Sequence, residues 1–207
     1  AGGQSLSGFV ASVASPAPTP GGGTVAAHAG ALAGALAQMV AGLTTGKKKY
    51  AAVDAEMREA GLVASSLVTE LTSLAARDAA AYEKVAEAYR MPKVPEDAAA
   101  ARQAAIDAAL LGAAEVPLFT ARACARVAEL AASVATKGNA NAVSDAGVAA
   151  LLAEAACRGA AYNVRINVAA LADRNAGAAY VEEALGLVAI TSKHAAEATE
   201  AVERAIG

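Results

Sequence analysis

Residues 25–45 read VAAHAGALAGALAQMVAGLTT, and how this stretch is read decides the fold. It carries no formal charge, and Gly30 and Gly34 stand four residues apart within it. An apolar run of this length with a small-xxx-small pair has the dimensions of a bilayer span. Three features point elsewhere. Alanine and glycine are only weakly apolar, His28 and Gln38 interrupt the run, and no aromatic belt flanks it. The better account is a buried helix whose glycines admit a neighbouring backbone. The expectation is therefore no membrane partner.

The rest of the chain suits that reading. Of the 207 residues, 56% are hydrophobic, yet aromatics make up only 3% and tryptophan is absent. Alanine fills the difference. It is the best helix former but buries little area per residue, so many close contacts must replace a few large ones. Long helices packed along their length follow, with further burial between subunits. A net charge of −3 and the lack of a basic arm give no reason to expect nucleic acid. Cys124 and Cys157 form no CxxC pattern and read as reduced, buried thiols of a cytoplasmic protein. No charged segment followed by an apolar one marks a signal peptide.

The pattern predicts an all-α, single domain over residues 1–207: a bundle of about six helices, two of them long. Residues Gln4 to Ala14 form a short amphipathic helix. SPAPTPGGG (Ser15 to Gly23) breaks regular structure. The second helix spans about Thr24 to Leu43, and Gly46 to Tyr50 is a turn or the start of the next. A long helix covers roughly Ala51 to Arg90, and MPKVPE (Met91 to Glu96) ends it. The fourth runs from Asp97 to Thr136 with a kink at Pro117. Gly138 suits a helix C-cap, and Ser144 or Asp145 an N-cap. The fifth helix ends near Ala170, and the last reaches Ile206.

Five clusters could carry chemistry. Gly21, Gly22 and Gly23 precede a helix, where free N–H groups and the helix dipole suit a carboxylate or phosphate. The same glycines could be only a turn, and no GKS or GKT closes a Walker loop. Lys47, Lys48 and Lys49 are the one dense positive cluster, either a solvated turn or an attractor for an anionic substrate tail. Asp78 lies among alanines with Tyr82 one turn on. It either pairs with Arg77 or a distant lysine, or faces a pocket where it could transfer protons. Asn139 and Asn141 lie in GNANAVSD. Asn163 and Asn167 share a face of an otherwise apolar helix, and a buried asparagine is costly unless bonded. The pair either bridges helices or offers polar handles to a ligand. Arg165 points about 200° away, toward a different partner. The histidines, His28 and His194, are far apart and make no metal-ligand cluster.

SPAPTPGGGTVAA, LTTGKKKY, RDAAAY, YRMPK, AAEVPL, KGNANAVSDAGVAALLAEAA and AAYNVRIN occur in that order. Together they resemble the folate-dependent cyclodeaminase/cyclohydrolase family over about residues 5–170. That family includes the cyclodeaminase domain of formiminotransferase-cyclodeaminase and free-standing bacterial methenyltetrahydrofolate cyclohydrolases. The resemblance implies an all-helical homodimer with the folate site near the subunit interface. It implies no metal, and no cofactor beyond the tetrahydrofolate substrate. It places the catalytic aspartate at Asp78, with Tyr82 as the aromatic of the motif. Substrate-binding roles carry over to Gly21, Gly22, Gly23, Lys47, Lys48, Lys49, Asn139, Asn141, Ser144, Asp145, Asn163 and Asn167. Thr24 stands where serine is usual and keeps the hydroxyl. His28 departs from the family pattern, and the C-terminal helix matches poorly.

Two reactions are implied. A cyclohydrolase interconverts 5,10-methenyltetrahydrofolate and 10-formyltetrahydrofolate. A cyclodeaminase converts 5-formiminotetrahydrofolate to the methenyl form plus ammonia. Both move protons at N5 or N10, which one carboxylate can do. A non-catalytic helical folate-binding or scaffold protein is the reading from another class, and retention of Asp78 and the glycine loop tells against it.

Overall fold

The computed structural model describes residues 5–207, so the expected helix start at Gln4 lies outside the described residues. Six α-helices follow in order: α1 (Leu6–Val13), α2 (Gly22–Thr44), α3 (Asp54–Arg90), α4 (Glu96–Lys137), α5 (Val143–Ala169) and α6 (Ala178–Ile206). Short 3₁₀ turns at Lys48–Val53, Ala140–Ala142 and Arg174–Gly177 lead into α3, α5 and α6. No strand occurs among the described residues.

Helix α2 packs against α3 and α5, α4 against α3 and α5, and α6 closes the bundle over α4 and α5. Alanine dominates the core, and Met57, Leu71, Leu74, Leu118, Val40 and Val127 are among its largest fully buried members. Gly30 and Gly34 of α2 serve close approach, as expected. A Cβ on Gly30 would lie 2.7 Å from Cys124 Sγ of α4, and one on Gly34 would lie 3.0 Å from Val68 Cγ2 of α3. A methyl group would collide at Gly30 and would press on Val68 at Gly34. By length and hydropathy α2 and α4 could each span a membrane, but half of the most apolar stretch of each is buried within the bundle.

Helix boundaries depart from expectation where caps decide them. α2 begins at Gly22, with Gly21 as N-cap, so the glycine run is part of the helix start rather than a lead-in. α4 runs unbroken through the buried Pro117. Gly46 adopts φ +75°, the left-handed region that favours glycine, and turns the chain after α2. Its N–H donates to Asp54 Oδ1 at 2.6 Å. That bond, helped by the Arg58 guanidinium at 2.8 Å, holds the Asp54 carboxyl below its usual range.

Gly138 is the C-cap of α4, as expected. The N-cap assignment for Ser144 or Asp145 is wrong, since Ala142 precedes α5 and both residues lie in its first turn. The capping side chain is Asn139, whose Oδ1 accepts from Asn141 N–H at 3.1 Å and caps the start of the 3₁₀ turn. A cap three residues upstream suffices because that turn, not the α-helix, carries the orphan N–H groups.

Cys124 and Cys157 are free thiols buried in one core cluster. Burial pushes both thiols well above their ordinary range, so neither offers a thiolate at neutral pH. In native buffer an aromatic disulfide reagent should label neither, and in guanidinium both should react. Rapid titration of one equivalent in native buffer would show that a core thiol is accessible.

Candidate active site

The glycine-rich start of α2 meets the middle of α3 at Asp78. Thr24 Oγ1 donates to Asp78 Oδ2 at 2.8 Å, so the serine-like hydroxyl singled out in the sequence orients the carboxylate. Thr24 is buried and Asp78 half-buried. A Cβ on Gly23 would collide with Asp78 Oδ1 and stand 2.7 Å from its Cγ. The carboxylate is thus pressed against the first turn of α2, where unpaired N–H groups and the helix dipole attract negative charge. Asp78 forms no ion pair with Arg77 or any lysine among the described residues. Arg77 instead lies over the Phe119 ring, 5.4 Å from its centroid.

Around this contact is a cavity of about 330 Å³. Gly21, Gly22, Gly23, Asp78, Tyr82, Asn163 and Asn167 all line it. Sequence reading singled out each of them. It missed Pro18, Thr19, Ala81, Val85, Ala113 and Ile166 in the wall. Apolar residues of ordinary helix pattern give no signal of lining a cavity; only the prolines before the glycines mark a fixed loop.

The asparagine pair makes the first of the two contacts left open by the sequence, a bridge between helices. Asn167 Nδ2 donates to Ala113 O of α4 and to Asn163 O, each at 2.9 Å, which ties α5 to α4. Asn163 Nδ2 donates to Gly159 O at 2.9 Å within its own helix. Carbonyl oxygens can accept only from the amide nitrogens, which fixes both flips. The amide oxygens have no partner among the described residues and remain as acceptors for a ligand.

The other expected site residues are elsewhere. α2 has 23 residues and so a length of about 34 Å, and the lysine turn follows its far end. Lys47, Lys48 and Lys49 are exposed there. Asn139 is buried beside them and spent on structure: its N–H meets Thr44 Oγ1 at 2.9 Å and its Nδ2 donates to Leu43 O at 3.1 Å. Tyr50 Oη accepts from Ala140 N–H at 3.0 Å, which lowers the phenol from its ordinary range. Asn141 and Ser144 are exposed and Asp145 half-buried at this same end. One subunit does not bring this group to Asp78. His28 meets the Phe9 ring edge-on at 4.7 Å, and His194 Nδ1 contacts Glu197 Oε2 at 2.9 Å. Among the described residues no three His, Cys, Asp or Glu side chains converge as a metal site requires.

An all-helical bundle that holds one carboxylate against a glycine-capped helix start defines a class of enzyme-like sites without a metal-ligand cluster. A sequence model of formiminotransferase-cyclodeaminase matches residues 5–185, and the chain belongs to that family. It is 44% identical over 189 residues to a methenyltetrahydrofolate cyclohydrolase of Methylorubrum extorquens, covering 91% of both chains. It is 36% identical to the mouse formimidoyltransferase-cyclodeaminase over 82% of this chain and 31% of that one. The crystal structure of formiminotetrahydrofolate cyclodeaminase from Thermotoga maritima superposes with a TM-score of 0.88 at 32% identity over 98% of each chain.

The two glycines should separate cleanly by mutation. A Cβ at Gly22 meets only Asn163 Nδ2, at 3.8 Å, an ordinary contact. Gly22→Ala should therefore change stability by less than about 0.5 kcal/mol, whereas Gly23→Ala should cost about 1–3 kcal/mol through overpacking. Adding Asp78→Ala to Gly23→Ala removes the colliding group, so the double variant should be about as stable as Asp78→Ala alone. Additive losses in thermal melts would mean that the two residues do not touch.

Proposed function

We propose that this protein is a one-carbon folate enzyme, a methenyltetrahydrofolate cyclohydrolase, in which Asp78 is the general acid/base. The observation that carries the proposal is the Thr24-held carboxylate in a cavity with Tyr82, Asn163 and Asn167. The likeness to the M. extorquens cyclohydrolase over nearly the whole chain supports the choice of reaction.

The residues suggest the following steps. Water attacks the methenyl carbon of the cationic substrate while Asp78 takes a proton from it. The carboxylate, as an anion, also stabilises the cation before attack. The C–N5 bond then breaks and N5 takes a proton from Asp78. The remaining hydroxyl loses its proton to solvent as the formyl group forms at N10. One proton is released in all. Gly21, Gly22 and Gly23 hold acceptor atoms of the substrate with free N–H groups, and Tyr82 packs beside the ring.

The cyclodeaminase reaction uses the same site differently, and the likeness to the T. maritima enzyme favours it as the second reading. N10 attacks the formimino carbon on N5. With the formimino group in its amidinium form (C=NH2+), Asp78 accepts the N10 proton and returns it to that nitrogen, and the C–N bond breaks to release NH3 and leave the methenyl cation.

Asp78→Asn keeps the shape and removes proton transfer, so turnover should fall by roughly 10²–10⁴-fold. The assay follows the absorbance of methenyltetrahydrofolate, its loss in one reaction and its gain from formiminotetrahydrofolate in the other. An unchanged rate per folded molecule with both substrates, together with a shifted melting temperature, would make Asp78 a structural carboxylate and the protein a binding module.

A homodimer belongs to the same proposal. Val25, Leu32, Met39 and Leu43 are exposed along one face of α2. Continuous apolar stripes of this kind mark interfaces, whereas scattered ones do not. Two copies meeting there about a two-fold axis perpendicular to α2 run these helices antiparallel. That arrangement sets the lysine turn of one subunit beside the glycine loop of the other, where its charge attracts an anionic substrate. The substrate-binding roles of Lys47, Lys48, Lys49, Asn139, Asn141, Ser144 and Asp145 depend on it. Leu32→Asp with Met39→Asp should yield monomers by light scattering and a raised Michaelis constant. A wild-type monomer with full activity at micromolar concentration would remove the dimer from the proposal.

A further inference from the structure

Arg165 was set apart in the sequence because it faces away from the asparagine pair, and the site described so far leaves it unused. It lines a separate groove of about 520 Å³ between α5, the Arg174–Gly177 turn and α6. The floor is apolar: Tyr162, Ile166, Val168, Ala169 and Val181. Tyr162 and Ile166 are 65% and 70% exposed, unusual for large apolar groups one turn apart on a helix. Two cations, Arg165 and Arg174, stand over this floor, and no acidic side chain lines it. Neither arginine makes a hydrogen bond or ion pair among the described residues. Ile166 lines both this groove and the Asp78 cavity, so the two adjoin across that side chain.

We propose that this groove binds the benzoylglutamate half of the folate substrate, with Tyr162 and Ile166 under the aryl ring and Arg165 and Arg174 on the glutamate carboxylates. The inference rests on the folate reading of the Asp78 cavity. Three observations lead to it. The cavity holds about 330 Å³, at the small end for a drug-sized ligand. A folate whose pterin and one-carbon unit fill it must leave its tail outside. The neighbouring groove offers an aromatic face and two unpaired guanidinium groups, the chemistry that recognises an aryl ring followed by carboxylates. Finally, the groove lies on the same subunit as Asp78 and shares Ile166 with its cavity, so it can take the tail without a contribution from a second copy.

The test compares Michaelis constants for methenyltetrahydrofolate carrying one and three glutamates. The wild type should prefer the triglutamate. The variant Arg165→Gln/Arg174→Gln should lose that preference, with the triglutamate constant rising about tenfold, the scale of two partly exposed charge pairs. Tyr162→Ala should raise both constants alike, because both substrates carry the aryl ring. The triple variant Lys47→Gln/Lys48→Gln/Lys49→Gln should raise both constants, as loss of general attraction does, and keep the preference. Light scattering on each variant should match the wild type. The inference is overturned if the wild type shows no preference for tail length, if the arginine pair keeps the preference, or if the lysine variant loses it. It is overturned as well if the arginine variant changes its oligomeric state, since the groove is then covered by a second copy. A wild type that turns over neither methenyl- nor formiminotetrahydrofolate removes the folate reading itself, an outcome distinct from the others.

Discussion

The site depends on one missing methyl group. Gly23 has no Cβ, and the carboxylate of Asp78 occupies the space where one would be. That vacancy lets the first turn of α2 come down onto α3, brings the Thr24 hydroxyl within 2.8 Å of the carboxylate, and aims the N-terminal dipole of α2 at it. The cavity walls follow from the same contact. Where α2 begins, a space is left beneath its end, and α3, α4 and α5 close around it with Tyr82, Ala113, Asn163 and Asn167. Farther along α2, Gly30 and Gly34 repeat the device against Cys124 and Val68, so one helix is drawn onto its neighbours at three points.

Much of this was legible beforehand, and the reason is chemical contrast. A carboxylate among alanines, asparagines on an apolar helix and glycines after prolines stand out because each carries a cost that an ordinary core would avoid. The helices themselves were visible through composition, and their ends within a few residues. The failures come from caps and from distance. The cap of the turn before α5 is Asn139 rather than Ser144 or Asp145, because a 3₁₀ turn intervenes that no apolar periodicity announces. Proximity in three dimensions was beyond reach too. Within one copy of the chain, the lysine turn and Gly21–Gly23 stand at opposite ends of a rod of 23 residues, so only an assembly can join them in one site. Arg174 carried no signal at all; it gains meaning only from the return of α6 beside α5.

Asn139 and Asn167 show how a polar residue can be noticed for a good reason and still mean two things. Asn139 has every hydrogen-bonding group engaged by the protein and ties the end of α2 to the turn after α4. Asn167 uses only its nitrogen for such a tie, and its oxygen stays available. A donor–acceptor account of each amide, which needs coordinates, separates the two.

The alanine core has a consequence for how this fold can change over time. Most of its buried side chains have no rotamers to freeze, so ordering them costs almost no side-chain entropy. They also have little to lose. At a buried alanine almost every replacement adds volume, and added volume in a close-packed interior strains the backbone. The interior of such a protein is therefore guarded against enlargement rather than against erosion. Divergence among its relatives should gather on outward faces that line neither the cavity nor the groove, where new side chains can appear without a helix having to move.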